Sequence, residues 1–146
     1  ALFVLVALIR ERTGSRSLQE LGGLWGQAPC LAFFFLLFSL ASLGLPGLAN
    51  FAGEILVLIG VFQTQPLWAV IAFVGVVFAA AYMLRLVQGT VWGPTRGEKA
   101  LPDLSTREWL VLLPMAILVV WIGLYPAPVL APLHGAVGPL LAGGMP

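Results

Sequence analysis

Glu54 has the strongest claim to chemistry in this chain, because it stands alone. Between Glu20 and Arg85 there is no other Asp, Glu, Lys, Arg or His. Residues 28–62 around it are apolar almost throughout and are interrupted by Gly44-Leu45-Pro46-Gly47. An isolated carboxylate in hydrocarbon costs roughly 2.5–3.5 kcal/mol on insertion scales, and such residues mark ion and proton pathways. Desolvation disfavours the charged carboxyl while a nearby cation favours it. A group held between those pulls can load and unload a proton as a neighbouring charge comes and goes. Asn50, four residues earlier on the same helix face, is placed to hydrogen-bond the carboxyl or hold water beside it. Glu54 is therefore expected to be a proton site in a discontinuous transmembrane helix. The bland alternative is a glutamate that merely pairs with an Arg or Lys elsewhere.

Other candidates are weaker. Tyr82 and Arg85 follow on the next apolar segment and could extend a proton path. An aromatic on a packed face is more often structural, and an Arg near the end of a span ordinarily snorkels to the interface. Cys30 is the only cysteine, so no internal disulfide and no multi-cysteine metal site can form. His134 lies in a Pro- and Gly-rich tail without a second ligand candidate. There is no phosphate loop, dinucleotide-binding glycine pattern, paired carboxylate or nucleophile beside a base.

The elements that must position Glu54 follow from composition. The chain is 60% hydrophobic and 9% charged, with mean hydropathy +1.03. A soluble domain carries about a quarter charged residues, so the expected class is an all-α transmembrane bundle. The net charge of +1 gives no reason to expect nucleic acid. Residues 1–9 are too short to cross a bilayer, which takes ~20 residues, and read as the end of a span that began earlier. Residues 10–27 form a polar connection in which Ser17 and Glu20 have capping-box spacing.

As one straight helix, residues 28–62 would extend ~50 Å against a hydrocarbon core of ~30 Å. Pro46 removes a donor and Gly44 and Gly47 flank it, so a break is expected at 44–50. Glu54 lies eight residues before Phe62, ~12 Å of helix, which puts it near mid-depth counted from the far interface. Residues 67–92 make the next span, with Ala72, Gly75, Ala79 and Tyr82 forming a narrow seam for a neighbouring helix. Residues 93–107 form a polar loop, with a second capping box at Ser105 and Glu108. Residues 109–124 form the last span, with Pro114 expected to kink it. Residues 125–146 are an apolar tail.

Charge decides whether 28–62 crosses once or twice. With a single crossing, Arg10, Arg12, Arg16, Arg96, Lys99 and Arg107 all lie on one side, and the opposite connection and tail hold no Lys or Arg. Two crossings would split the six evenly. The positive-inside rule favours one broken span with the basic loops cytoplasmic, and a non-cytoplasmic tail at 125–146.

At these residues the chain resembles a known family. SLASLGLPGLANFAGEILVLIGVF at 39–62, AAYMLRL, LPDLSTREW and GLYPAPVL are similar to the C-terminal third of the M-type antiporter-like membrane subunits of respiratory complex I. That complex is the proton-pumping NADH:quinone oxidoreductase, and the mitochondrial equivalent is the subunit 4 type. The resemblance covers nearly all of the chain. It implies the C-terminal part of a fourteen-helix subunit built on two inverted five-helix repeats, here the end of helix 11, a broken helix 12, and helices 13 and 14. It also implies that Glu54 matches the ionisable residue of the broken helix, a glutamate in the M type and a lysine in its L- and N-type paralogues.

By the same resemblance the chain would hold no cofactor itself. NADH, FMN, iron–sulphur clusters and quinone would belong to other subunits. Its partners would be other membrane-arm subunits, with L- and N-type paralogues as neighbours, in the cytoplasmic membrane of a bacterium. The fragment alone would have no activity. The alternatives are the D-type subunit of a multisubunit sodium/proton antiporter, which shares the fold and a glutamate here, and a structural membrane subunit in which Glu54 only anchors a neighbouring helix.

Overall fold

A computed structural model describes residues 1–14, 22–94 and 101–132, and every regular element among them is an α-helix. The first, α1, spans Leu2–Thr13 and stops at Gly14, whose φ of 71° is left-handed and whose N–H donates to the Arg10 carbonyl. Residues 10–13, expected in a connection, are thus helical: nothing in Arg10-Glu11-Arg12 breaks a helix, whereas a left-handed glycine ends one. A single turn, α2 (Leu24–Gln27), leads into α3 (Pro29–Ser42), which begins with Pro29 in its first turn, where a missing N–H costs nothing. The Ser17–Glu20 pair and His134 lie outside the described residues.

The α3 helix is the hub. It touches α1, α2, the following helix α4 (Ala49–Thr64), α5 (Pro66–Val91) and α6 (Thr106–Leu124). Its Leu31, Ala32, Phe34, Phe35 and Phe38 are buried among Leu5 and Ile9 of α1, Val87 and Val91 of α5, and Leu112 of α6. Phe34 stacks on Phe38 and meets Trp109 edge-on at a centroid distance of 5.1 Å, the arrangement that aromatic quadrupoles favour.

Between α3 and α4 the chain leaves the helix at 43–48, so Ala49 and Asn50, expected within the break, already belong to α4. One residue, Gln65, separates α4 from α5, and Pro66 restarts the helix. The α6 helix is continuous across Pro114 and begins at Thr106 rather than 109, because Ser105 and Glu108 cap it. At 1.5 Å per residue α5 is ~39 Å long and α6 ~28 Å, whereas α3 and α4 reach only ~21 and ~24 Å. Both α5 and α6 are long and apolar enough to cross a membrane. No residue of α4 is buried, and on α5 Ile71, Phe73, Val77 and Phe78 are all exposed. An apolar exterior of this extent is a surface for lipid or for further helices.

Candidate proton site at the helix interruption

The interruption is built by local hydrogen bonding. Gly44 has φ +67° and follows the cap residue Leu43. Its N–H donates to the Ala41 carbonyl at 3.2 Å, and the Leu45 N–H reaches back to the Leu40 carbonyl at 3.3 Å. These two bonds are the Schellman pattern that closes a helix, and they need a left-handed residue at Gly44. Gly47, with φ +92°, turns the chain again, and Leu48 in extended geometry starts α4.

Close packing covers this irregular backbone from one side. Gly123 of α6 lies directly against it: a Cβ at that position would overlap the Gly47 carbonyl oxygen and the Leu48 Cα. Irregular backbone is tolerated at membrane depth only where protein buries it or water lines it. The absent side chain at Gly123 allows that burial. Sequence reasoning missed it, because one glycine in an apolar span looks like any other.

Glu54, on the second turn of α4, turns its carboxyl back onto the interruption. A Cβ built on Gly44 would overlap Oε2 and lie 2.8 Å from Cδ and 3.1 Å from Oε1. The carboxyl therefore rests on the bare Cα of the residue that closes α3. It takes part in no hydrogen bond or ion pair among the described residues, and the end of α3 that it meets is the negative end of a helix dipole, which offers a carboxylate no compensation. The other side of Glu54 opens into a groove of about 510 Å³. Asn50, Gly53 and Val57 of α4 line it, with Ala72 and Val76 of α5 opposite.

The remaining candidates fall as follows. Asn50 shares the groove with Glu54 but makes no hydrogen bond to it. Tyr82 and Arg85 are exposed on α5 and make no hydrogen bond or ion pair with either residue. Of the expected seam, Ala72 faces α4, while Gly75 has open space where a side chain would stand. Cys30 sits in the first turn of α3. Among the described residues no three His, Cys, Asp or Glu side chains cluster as a metal would require.

A second polar constellation, at the opposite end of α3, was not foreseen. Asp103 accepts from the Cys30 and Leu31 N–H groups, each at 3.1 Å, and from the Leu104 N–H at 2.8 Å. It caps a helix that begins 74 residues earlier in sequence and has no capping side chain of its own. Burial pushes the Asp103 carboxyl up, but the three N–H groups outweigh it and hold the acid below the ordinary carboxylate range. Beside it, Arg12 of α1 pairs with Glu108 of α6 at 2.6 Å and also donates to the Asp103 carbonyl at 3.3 Å. Glu108 Oε2 accepts the Ser105 N–H at 2.6 Å as well, the return half of the capping box. The only signal available in advance was negative: Ala28-Pro29 starts a helix without a Ser, Thr, Asn or Asp to cap it. This clasp ties the end of α1 and the starts of α3 and α6 together at one end of the bundle.

A helical membrane subunit, with the Glu54 carboxyl set against the turn between two short apolar helices, is the class that this fold and site define among the described residues. The chain belongs to the NADH:quinone oxidoreductase/Mrp antiporter transmembrane family, whose sequence profile matches residues 1–79. It is 42% identical over 139 residues to NADH-quinone oxidoreductase subunit M of Pseudomonas aeruginosa, covering 92% of this chain and 27% of that protein. Similarity extends to NADH-ubiquinone oxidoreductase chain 4 of Marchantia polymorpha, 38% identical over 146 residues, 99% of this chain and 30% of that one. Among solved structures it matches a chain of "Respiratory complex I from Thermus thermophilus with bound NADH" at a TM-score of 0.80 and 37% identity, over 85% of this chain and 26% of that chain. The chain thus spans a little over a quarter of the length of these relatives.

Proposed function

We propose that this chain is the part of a proton-translocating membrane-arm subunit of NADH:quinone oxidoreductase that carries one ionisable step of the proton path, with Glu54 as the group that binds and releases the proton. The observation that carries the reading is the setting of that carboxyl. It has no hydrogen-bond or ion-pair partner among the described residues, it lies against the turn between α3 and α4, and it faces a groove that also holds Asn50. A structural glutamate finds a partner, as Glu108 does with Arg12. A proton carrier needs a site whose partner can arrive and leave.

The topology that supports this is a single broken span. Neither α3 nor α4 is long enough to cross ~30 Å of hydrocarbon alone, and the clasp brings Arg12 and the start of α6 to the same end of the bundle. The six basic residues of the polar connections then lie on the cytoplasmic side of a bacterial inner membrane. The apolar faces of α4 and α5 meet lipid, the rest of the subunit, or L- and N-type neighbours. NADH, FMN, iron–sulphur clusters and quinone belong to other subunits, and this chain contributes no redox group. Proton movement through Glu54 is coupled to electron transfer elsewhere in the complex.

The test is Glu54→Gln in the whole complex in sealed membrane vesicles, following NADH-driven acidification, NADH:quinone turnover and assembly together. Normal assembly with lost pumping or turnover is expected. Unchanged pumping would reduce Glu54 to an anchor for a neighbouring helix. The second reading, an antiporter subunit, is favoured by the family's including the Mrp antiporters. It predicts a pH gradient that drives sodium exchange without NADH.

A further inference from the structure

Gly44 and Gly47 are both left-handed, yet their surroundings differ in one respect. A side chain at Gly47 would meet only the Leu124 Cδ2, at an ordinary 3.8 Å, whereas one at Gly44 would occupy the space of the Glu54 carboxyl. Positive φ explains a glycine at both positions. It does not explain why the ionisable group of α4 lies on the one and not the other.

We propose that Gly44 is the seat of the Glu54 carboxyl: a positioning residue whose bare Cα holds the proton-binding group against the interruption, at the wall of the groove lined by Asn50 and Ala72. Without that seat the carboxyl has no fixed place, because no hydrogen bond or ion pair among the described residues holds it. The carboxyl is the far end of a flexible side chain, so a methyl at Gly44 displaces it by rotating χ angles toward the groove rather than by moving α4. Gly44 then sets how the group stands at the groove wall, drawn back against the break or extended across the groove. The inference deepens the reading of Glu54 as the proton-binding residue and rests on it for its functional consequence, but the position of the carboxyl is measurable by itself.

The experiment compares Gly44→Ala with Gly47→Ala in the intact complex. Both place alanine at a left-handed residue, so both carry backbone strain and the contact with Glu54 belongs to Gly44 alone. Position is read as the rate at which a hydrophobic carbodiimide modifies Glu54, measured by mass spectrometry of the peptide that contains it. Function is read as NADH-driven proton pumping per assembled complex and its pH profile. In Gly44→Ala the labelling rate rises, the pH profile moves, and pumping falls by about tenfold to a hundredfold, the loss expected of a misplaced reacting group. In Gly47→Ala the labelling rate and profile stay near the parent's.

Adding Glu54→Asp to Gly44→Ala shortens the side chain by one methylene, relieves the overlap, and restores part of the pumping. Equal labelling rates and equal losses in the two alanine variants would overturn the proposal, and so would a double variant worse than both singles. The functional reading fails separately, if Glu54→Gln pumps normally while the labelling difference between the glycine variants stands. If both glycine variants fail to assemble, labelling of Gly44→Ser and Gly47→Ser in whole membranes decides the same question, with equal rates overturning the proposal.

Discussion

At the clasp, Asp103 and Glu108 have their oxygens engaged: three N–H groups on the first, a guanidinium and a capped N–H on the second. About two dozen residues along the same α3–α4 path, Glu54 has no such partner among the described residues and rests on a glycine. The two regions divide the work of a carboxyl. Where charge is satisfied from several elements at once, it fastens helices together and gains nothing from changing its protonation. Glu54, with no such partner among the described residues and irregular backbone beside it, is the carboxyl for which we propose a moving proton.

The comparison can be broken from either side. The largest expected effect is at the packing of α6 on the interruption. Gly123→Leu drives a side chain into the Gly47–Leu48 backbone, and overpacking of this kind costs typically 1–3 kcal/mol or more. Loss of assembled complex on native gels is the expected outcome, and normal assembly would mean that α6 does not seal the interruption. Next comes the clasp. Arg12→Ala removes the partner of Glu108 and the donor to the Asp103 carbonyl, and should lower stability in detergent by about 1–3 kcal/mol, the scale of hydrogen bonds to charged groups. Thermal unfolding checks this, and the per-complex pumping rate should be unaffected.

Asp103→Ala uncaps α3 and should cost ~1–2 kcal/mol. Its pH signature is specific. The folded acid is held below its ordinary range, so its stabilisation is complete above the unfolded value of about 3.9 and is lost as pH falls through the lower folded one. The parent should therefore lose stability below about pH 4, and Asp103→Ala should lose less over the same interval. Equal slopes would show that the N–H groups of Cys30 and Leu31 do not hold this carboxylate. The smallest effect belongs to Tyr82→Phe. The ring is exposed and its hydroxyl touches none of the described residues near Glu54, so stability should change by under about 0.5 kcal/mol and pumping little. A large loss of pumping would extend the proton path along α5.

What was legible in the sequence was whatever a local pattern encodes. The solitude of Glu54, the breakers at Gly44, Pro46 and Gly47, and the Ser105–Glu108 capping box all lie within a few residues of their consequences. The polar connection expected from residue 10 starts later, because Arg10, Glu11 and Arg12 are good enough helix formers to continue α1 as far as the left-handed Gly14. The contacts that matter most were illegible for a physical reason. Asp103 meets its α3 partners across 72 and 73 residues, Arg12 meets Glu108 across 96, and Gly123 meets the interruption only once α6 has docked. Propensity and periodicity carry no information about which distant backbone will come to need an acceptor or a missing side chain. The resemblance to the antiporter-like subunits supplied the family, and the family's profile and relatives bear it out.

The most direct test sets the two carboxylates against each other in the same preparation: Glu54→Gln and Asp103→Asn, each in the whole complex, with assembly and NADH-driven proton pumping per assembled complex measured side by side. The account predicts that Glu54→Gln assembles fully and pumps poorly, and that Asp103→Asn assembles poorly and pumps normally in the complexes that remain. Full pumping by assembled Glu54→Gln complexes would contradict it, and the lone carboxyl at the interruption would then be one more structural contact.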